Sequence, residues 1–281
     1  MKRRSRLLHF LSSGIVVVAL FCIFDTCDAA SKAKFPLRAK YPQLKTVDTL
    51  TLLAIYNQSV IVDSRSRMEY NVVHMEGAKS LLVDRMSEED LLDLRPKKDS
   101  RPLVFYSNNS AGAECYKAAA KAVRWGFGDV LVYDAGLFTW ARQQPQRTLF
   151  FAEKLNAESV KTAFISKEKY NSVLLTPANF IAKANSGNFT VIDGRFVEKI
   201  EKKPIQLNNL QIMSVELMTF LLHKNSWNMP TSGLLVMDHD GSMVQWLQYY
   251  FERNGISNYY FLKGGVRQWY ADGYDKNGKK K

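Results

Sequence analysis

The chain has 281 residues, 46% hydrophobic and 23% charged, which is enough apolar material for more than one core without covalent staples. Of its three cysteines, Cys22 and Cys27 lie in an N-terminal leader. Cys115 is then the sole mature thiol, which excludes an internal disulfide and a Cys/His zinc site. The formal charge of +12 comes partly from the two ends, and the other lysines are scattered, so the basic balance reads as solvated surface and not as a nucleic-acid site.

In chain order, residues 1–30 read as a secretory signal. Lys2, Arg3, Arg4 and Arg6 precede an apolar core at 14–24, and Ala29 and Ala30 offer a cleavage point. Export to a periplasm is the expected localisation. The alternative is an uncleaved anchor over 7–24, the one case in which membrane contact is expected. Residues 30–45 lack apolar periodicity and read as an exposed lead-in. The first half then opens with a helix at 47–56 and a β-rich run, Ser59-Val60-Ile61-Val62, that ends in Asp63-Ser64-Arg65. The strand 103–106 runs into a small polar loop, 107–114, and a helix, 115–125. Val130–Tyr133 is the next strand, followed by Asp134-Ala135-Gly136 and Trp140. A segment at 142–175 links the halves.

The second half repeats this order. A helix at 176–185 carries Pro177 at its start, and Phe189-Thr190-Val191-Ile192 ends in Asp193-Gly194-Arg195. Residues 199–211 read as a polar loop. The strand 234–237 leads into Asp238–Ser242 and a helix at 243–253, and Tyr259-Tyr260-Phe261-Leu262 precedes Gly264, Gly265 and Trp269. From Asp63 to Asp193, Ser107 to Asp238 and Trp140 to Trp269 the offsets are 130, 131 and 129, which indicates a duplicated domain. Short β runs alternating with helices predict an α/β fold: two domains, each a parallel sheet with helices on both faces. The expected division is 45–145, a packing segment at 146–171, 172–275, and a basic tail at 276–281.

Each strand–loop–helix corner aims backbone N–H groups and a helix N-terminus at one point, a cradle for an anion. The first loop supplies Asn108, Asn109, Ser110, Ala111 and Gly112 behind Ser107. The second supplies His239, Asp240, Gly241, Ser242 and Met243 behind Asp238.

The landmarks together resemble the rhodanese-like family in tandem form. In the first half VIVDSRSRMEYNVVHMEGA is similar to the family's D-x-R…E-Y…H…G-A signature at Asp63, Arg65, Glu69, Tyr70, His74, Gly77 and Ala78. YDAGLFTW and LKGGVRQW match its closing G-G-x-x-x-W at Gly136, Trp140, Gly265 and Trp269, and VIDGRFVE matches at Asp193 and Arg195. The resemblance implies sulfur transfer by a cysteine at the head of the loop, through a persulfide and without a cofactor. Ser107 and Asp238 stand at that position here, and neither oxygen can hold a second sulfur. The expectation is therefore a degenerate module that binds a small anion or a protein partner. The alternative is an unusual sulfurtransferase working through Cys115, placed at a helix N-terminus that would lower its pKa, or through a partner's thiol; the favoured reading of Cys115 is a small structural residue packing the first turn of its helix.

Asp238-His239-Asp240-Gly241-Ser242 also imitates the first motif of haloacid-dehalogenase phosphatases, but the chain ends too soon for that family's later Lys and acids. Arg65 and Glu69 are expected to pair and so brace the domain, and His74 to hydrogen-bond within it, with Trp140 and Trp269 as core aromatics. The first loop is expected to be open, with unpaired N–H groups near Ser107. In the second, the Asp238 carboxylate is expected either to occupy its own cradle, its pKa lowered by the N–H groups of residues 240–243 unless burial dominates, or to point to solvent.

Overall fold

The structure, a computed structural model, describes residues 35–280; the expected leader lies outside them. The strands are β1 (Lys45–Thr46), β2 (Val60–Asp63), β3 (Val73–Met75), β4 (Lys79–Ser80), β5 (Leu103–Tyr106), β6 (Val130–Tyr133), β7 (Thr148–Phe150) and β8 (Glu153–Lys154). They continue with β9 (Leu174–Leu175), β10 (Phe189–Asp193), β11 (Leu210–Ile212), β12 (Gly233–Met237) and β13 (Tyr259–Leu262). Two compact units form. One holds the described residues up to Arg65 with Met75–Gln143, the other Ser66–His74 with the chain from Gln144 onward.

The fold is α/β. The first unit's sheet runs β1-β6-β5-β2-β4 and the second's β9-β13-β12-β10-β11, all pairs parallel. In strand-by-strand order of appearance within each unit, the two arrangements are the same. β2, β5, β6 and β12 bury every residue, as strands covered on both faces must, which is why they read as unbroken apolar runs. Val62, Phe105, Val132, Tyr116 and Ala119 belong to the core of the first unit. Phe180, Val191, Leu235, Leu262 and Trp269 belong to that of the second.

Local signals account for the helix starts. Asp48 accepts from the Thr51 N–H ahead of the helix Thr49–Ile55. Thr176 accepts from the Asn179 N–H with Pro177 in the first turn of Pro177–Asn185. The helices Glu114–Arg124 and Ser242–Arg253 follow the two loops.

Three segments differ from the sequence expectation. The stretch 199–211 is not a plain loop: a helix, Val197–Lys202, and the edge strand β11 occupy much of it. Its outer residues Gln211 and Ile212 are exposed, so no alternation marks the strand. The linker carries the β7–β8 hairpin and two short helices, Ser159–Ala163 and Lys167–Ser172. Residues 66–74 group with the second unit because the helix Arg67–Val72 packs on Ser242–Arg253, where Tyr250 Oη donates to the Met68 carbonyl at 3.2 Å. The basic tail folds back, with the Asp275 N–H on the Lys279 carbonyl at 2.9 Å. No helix among the described residues is long and apolar enough to cross a membrane.

Candidate functional site

Both loops sit at the carboxyl end of a central, fully buried strand, and each is clamped from the far side by a glycine turn. Leu137 N–H donates to the Ser107 carbonyl at 2.9 Å and Phe138 N–H to Asn108 at 3.3 Å. Val266 N–H donates to the Asp238 carbonyl at 2.9 Å and Arg267 N–H to His239 at 2.8 Å. The chain passes so close that a Cβ on Gly136 would lie 2.5 Å from Asn109 N, and one on Gly265 2.5 Å from Asp240 N. Both glycines also have positive φ, 79° and 61°. Only glycine meets both demands.

The first loop is turned in on itself. Ser107 is fully buried, and its Oγ lies 3.3 Å from the Gly112 carbonyl and 3.3 Å from Cys115 Sγ. Gly112 has no room for a Cβ, which would stand 2.4 Å from Ser107 Oγ. Asn109 takes the Ala111 N–H on its side chain at 2.9 Å and the Gly112 N–H on its carbonyl at 3.0 Å. These amides are therefore spent within the loop, and Ser110 and Ala111 form its outer turn. The open ring of unpaired donors expected around Ser107 is not this arrangement.

Cys115 is buried, and that burial pushes its thiol up to about 12, against the smaller opposing effect of the Ser107 hydroxyl. The helix N-terminus does not make it a thiolate, because the side chain points into the core alongside Ala118, Ala119 and Ala122.

In the second loop the Asp238 carboxylate sits in the cradle. Oδ1 accepts from the Gly241 N–H at 2.6 Å; Oδ2 accepts from Met243 at 2.8 Å and Val244 at 3.2 Å. These donors belong to the loop's last glycine, whose φ is 90°, and the first turn of the helix, so the macrodipole adds to them. Burial nevertheless wins: Asp238 is 1% exposed, and desolvation raises its pKa over the opposing pull of the three N–H groups. Of the two expected positions, the cradle is the one Asp238 takes, and burial, the stated condition, sets the direction of the shift. Asp240 Oδ1 accepts from Ser242 Oγ at 2.6 Å, and His239 is half-buried beside it. Tyr170 Oη, in the segment read as linker, donates to the Gly241 carbonyl at 3.1 Å.

The Asp-x-Arg motifs are braces. Arg65 Nε and Nη2 reach Asp63 at 2.8 and 2.5 Å, and Nη1 donates to Asn108 Oδ1 at 2.8 Å, tying the motif to the loop. Tyr106 Oη donates to Asp63 Oδ2 at 2.6 Å and accepts from the Met75 N–H. Arg195 pairs with Asp193 in the same way and donates to the Lys203 carbonyl at 2.8 Å. Glu69 closes a capping box with Ser66. His74 Nδ1 lies 2.7 Å from the Tyr70 carbonyl, and its ring stacks on Tyr70. Trp140 stacks on Tyr56 in the core, and Trp269 Nε1 donates to the Asp275 carbonyl. Among the described residues no group of three or more His, Cys, Asp or Glu could hold a metal ion.

Residues 47–143 match the family model of the rhodanese-like domain. This part of the chain, about a third of it, is similar to the rhodanese-like domain. The tRNA uridine(34) hydroxylases of Pectobacterium carotovorum and Pectobacterium atrosepticum are 28% and 31% identical over 105 and 111 residues, 37% of this chain in each case. The chain spans only 30% of the length of those relatives. The uncharacterized protein YibN of Escherichia coli is 28% identical over 91 residues, 32% of this chain and 62% of that protein. The thiosulfate sulfurtransferase of Pseudomonas aeruginosa overlaps 85% of this chain and 44% of its own, at 16% identity and a TM-score of 0.39. A rhodanese-like domain from Anabaena sp. overlaps 43% and 87%, at 24% identity and 0.32.

Proposed function

We propose that this is an exported protein of two rhodanese-like domains in tandem that does not transfer sulfur and serves as a partner-binding module. The second domain is inferred from the shared strand order, from the repeated Asp-x-Arg brace and from the matching clamps of Gly136 and Gly265 on the two loops. Ser107 and Asp238 then occupy the position at which an active member presents its cysteine.

The observation that carries the proposal is the Asp238 carboxylate on three backbone N–H groups. Those donors are the ones that would steady a sulfur anion, and here a side chain fixed by the sequence holds them. Persulfide chemistry needs a thiolate that can reach solvent. Cys115 offers neither a low pKa nor access, which counts against the alternative of a displaced carrier. A partner-facing role gains support from the apolar side chains of Phe196, Val197, Ile212, Leu217 and Phe220, exposed on neighbouring parts of the second unit. Met213 N–H on the Asp193 carbonyl and Val215 N–H on Gly194 hold these parts together. Residues 1–30 supply the export signal in this account. No small anion is assigned to either loop.

The test is thiosulfate–cyanide turnover by the purified protein. Thiocyanate should form no faster than in its absence. Turnover that disappears in Cys115→Ser would overturn the proposal in favour of an unusual sulfurtransferase.

A further inference from the structure

The second unit contains a cavity of about 640 Å³ that lies apart from both loop heads. The β7–β8 hairpin forms one wall, the strap of residues 159–169 a second, and the helix Ser242–Arg253 the third. Phe150 is the hub of its apolar lining. The rings of Phe151, Tyr249 and Phe164 stand edge-on to it with centroids 5.1, 6.0 and 6.3 Å away. Phe150, Phe151, Phe164 and Ile165 are each only half-buried, so aromatic and aliphatic surface faces a concave space and not a core.

The cavity is built into the fold. Ile165 N–H donates to Tyr249 Oη at 3.2 Å, and Tyr170, one residue past the strap, is anchored on the Gly241 carbonyl. Lys169 pairs with Glu252 at 2.7 Å across the same wall. Volume and lining fall within the range of small-molecule sites, which are mostly apolar with a few placed polar groups.

Charge decides the ligand class. Lys154, Lys169 and Arg253 line the cavity against Glu153 and Glu252, one more cation than acids. Arg253 is the group best placed to take an anion. Its guanidinium lies 4.6 Å over the Phe151 ring, while its ion pair to Glu153 is long, at 3.1 Å, and solvent-exposed on both sides. An exposed pair of that kind contributes little, so a second carboxylate can displace Glu153 at small cost. Guanidinium binds carboxylate through two parallel N–H donors, which a ligand head group can satisfy while its body packs below.

We propose that this cavity binds an aromatic monocarboxylate, its ring against Phe150, Phe164 and Tyr249 and its carboxylate on Arg253. No residue of either loop lines the site, which is independent of whether the protein transfers sulfur.

The experiment uses 2-naphthoate as the probe and 2-naphthol as its uncharged counterpart, titrated calorimetrically into the purified full-length protein. Saturable 1:1 binding is expected, with the carboxylate preferred over the phenol by roughly tenfold or more, the equivalent of one charge-assisted hydrogen-bonded contact. Arg253→Gln, a change at an exposed side chain, should remove that preference and leave naphthol binding unchanged. Phe164→Trp, which enlarges a ring that lines the space, should weaken both. No saturable binding at millimolar probe, equal affinity for the two probes, or affinities untouched by Phe164→Trp would each overturn the proposal. The last outcome would place the probe elsewhere, as on the exposed Phe196 and Phe220.

Discussion

Replacing Asp238 by Asn keeps the shape of the side chain and removes one of its two acceptor oxygens. If the amide oxygen keeps the Gly241 N–H, the new NH₂ group faces the N–H groups of Met243 and Val244, which then have no acceptor. A buried donor left unsatisfied costs about 1–3 kcal/mol. Met243, at 2.8 Å, would lose more than Val244, at 3.2 Å. Relief of the buried charge offsets part of this, so a net loss of about 1–3 kcal/mol is expected at pH 7. The sign of the pH dependence follows from the raised pKa of Asp238. Between the unfolded value, about 3.9, and the higher folded one, the native state binds more protons than the unfolded chain. Wild type therefore gains stability from this group as pH falls through the folded pKa, and the gain is complete below the unfolded pKa. Asn does not titrate, so the gap between wild type and Asp238→Asn should widen from pH 7 to pH 4. Urea unfolding at both pH values, with hydrogen exchange at Met243 and Val244 as the local readout, measures it. A gap that narrows toward pH 4 would mean that the three N–H groups outweigh burial. No gap at either pH would mean that the carboxylate does not hold the loop.

Gly136→Ala and Gly265→Ala should each cost about 2–4 kcal/mol, from a Cβ driven into backbone at positive φ, and thermal melts would detect either. A loss under about 0.5 kcal/mol would show that the clamp yields easily. Arg195→Ala strands the buried Asp193 and should destabilise by about 3–5 kcal/mol in urea, with a loss near zero counting against the brace. Cys115, with its thiol pushed up to about 12, should resist iodoacetamide in the native protein at pH 8 and react on denaturation. Rapid native labelling would contradict its burial.

The strands and the two corners were legible because fully buried parallel strands leave unbroken apolar runs, and because the same order recurs at a near-constant offset. The edge strand β11 and the helix Val197–Lys202 were not legible, since both are largely exposed and carry little apolar pattern. Loop length and helix start offered the cradle to Asp238 as one of two positions, the other being solvent. The direction of its pKa was not legible, because desolvation depends on what the rest of the unit packs around it. Cys115 reads as a packing residue of its helix, and the structure places it so: positions 115, 118, 119 and 122 fall on one helical face, and that face is the core. The inward turn of the Ser107 hydroxyl toward Gly112, and the bond of Tyr170 to the second loop, depend on tertiary placement that no local pattern encodes.

The central claim is that neither loop head, nor the single thiol behind one of them, carries sulfur. It is tested most directly by intact mass spectrometry of the protein after incubation with excess thiosulfate and removal of the donor. The account predicts an unchanged mass. A gain of one sulfur atom, mapped to Cys115 and absent in Cys115→Ser, would contradict it.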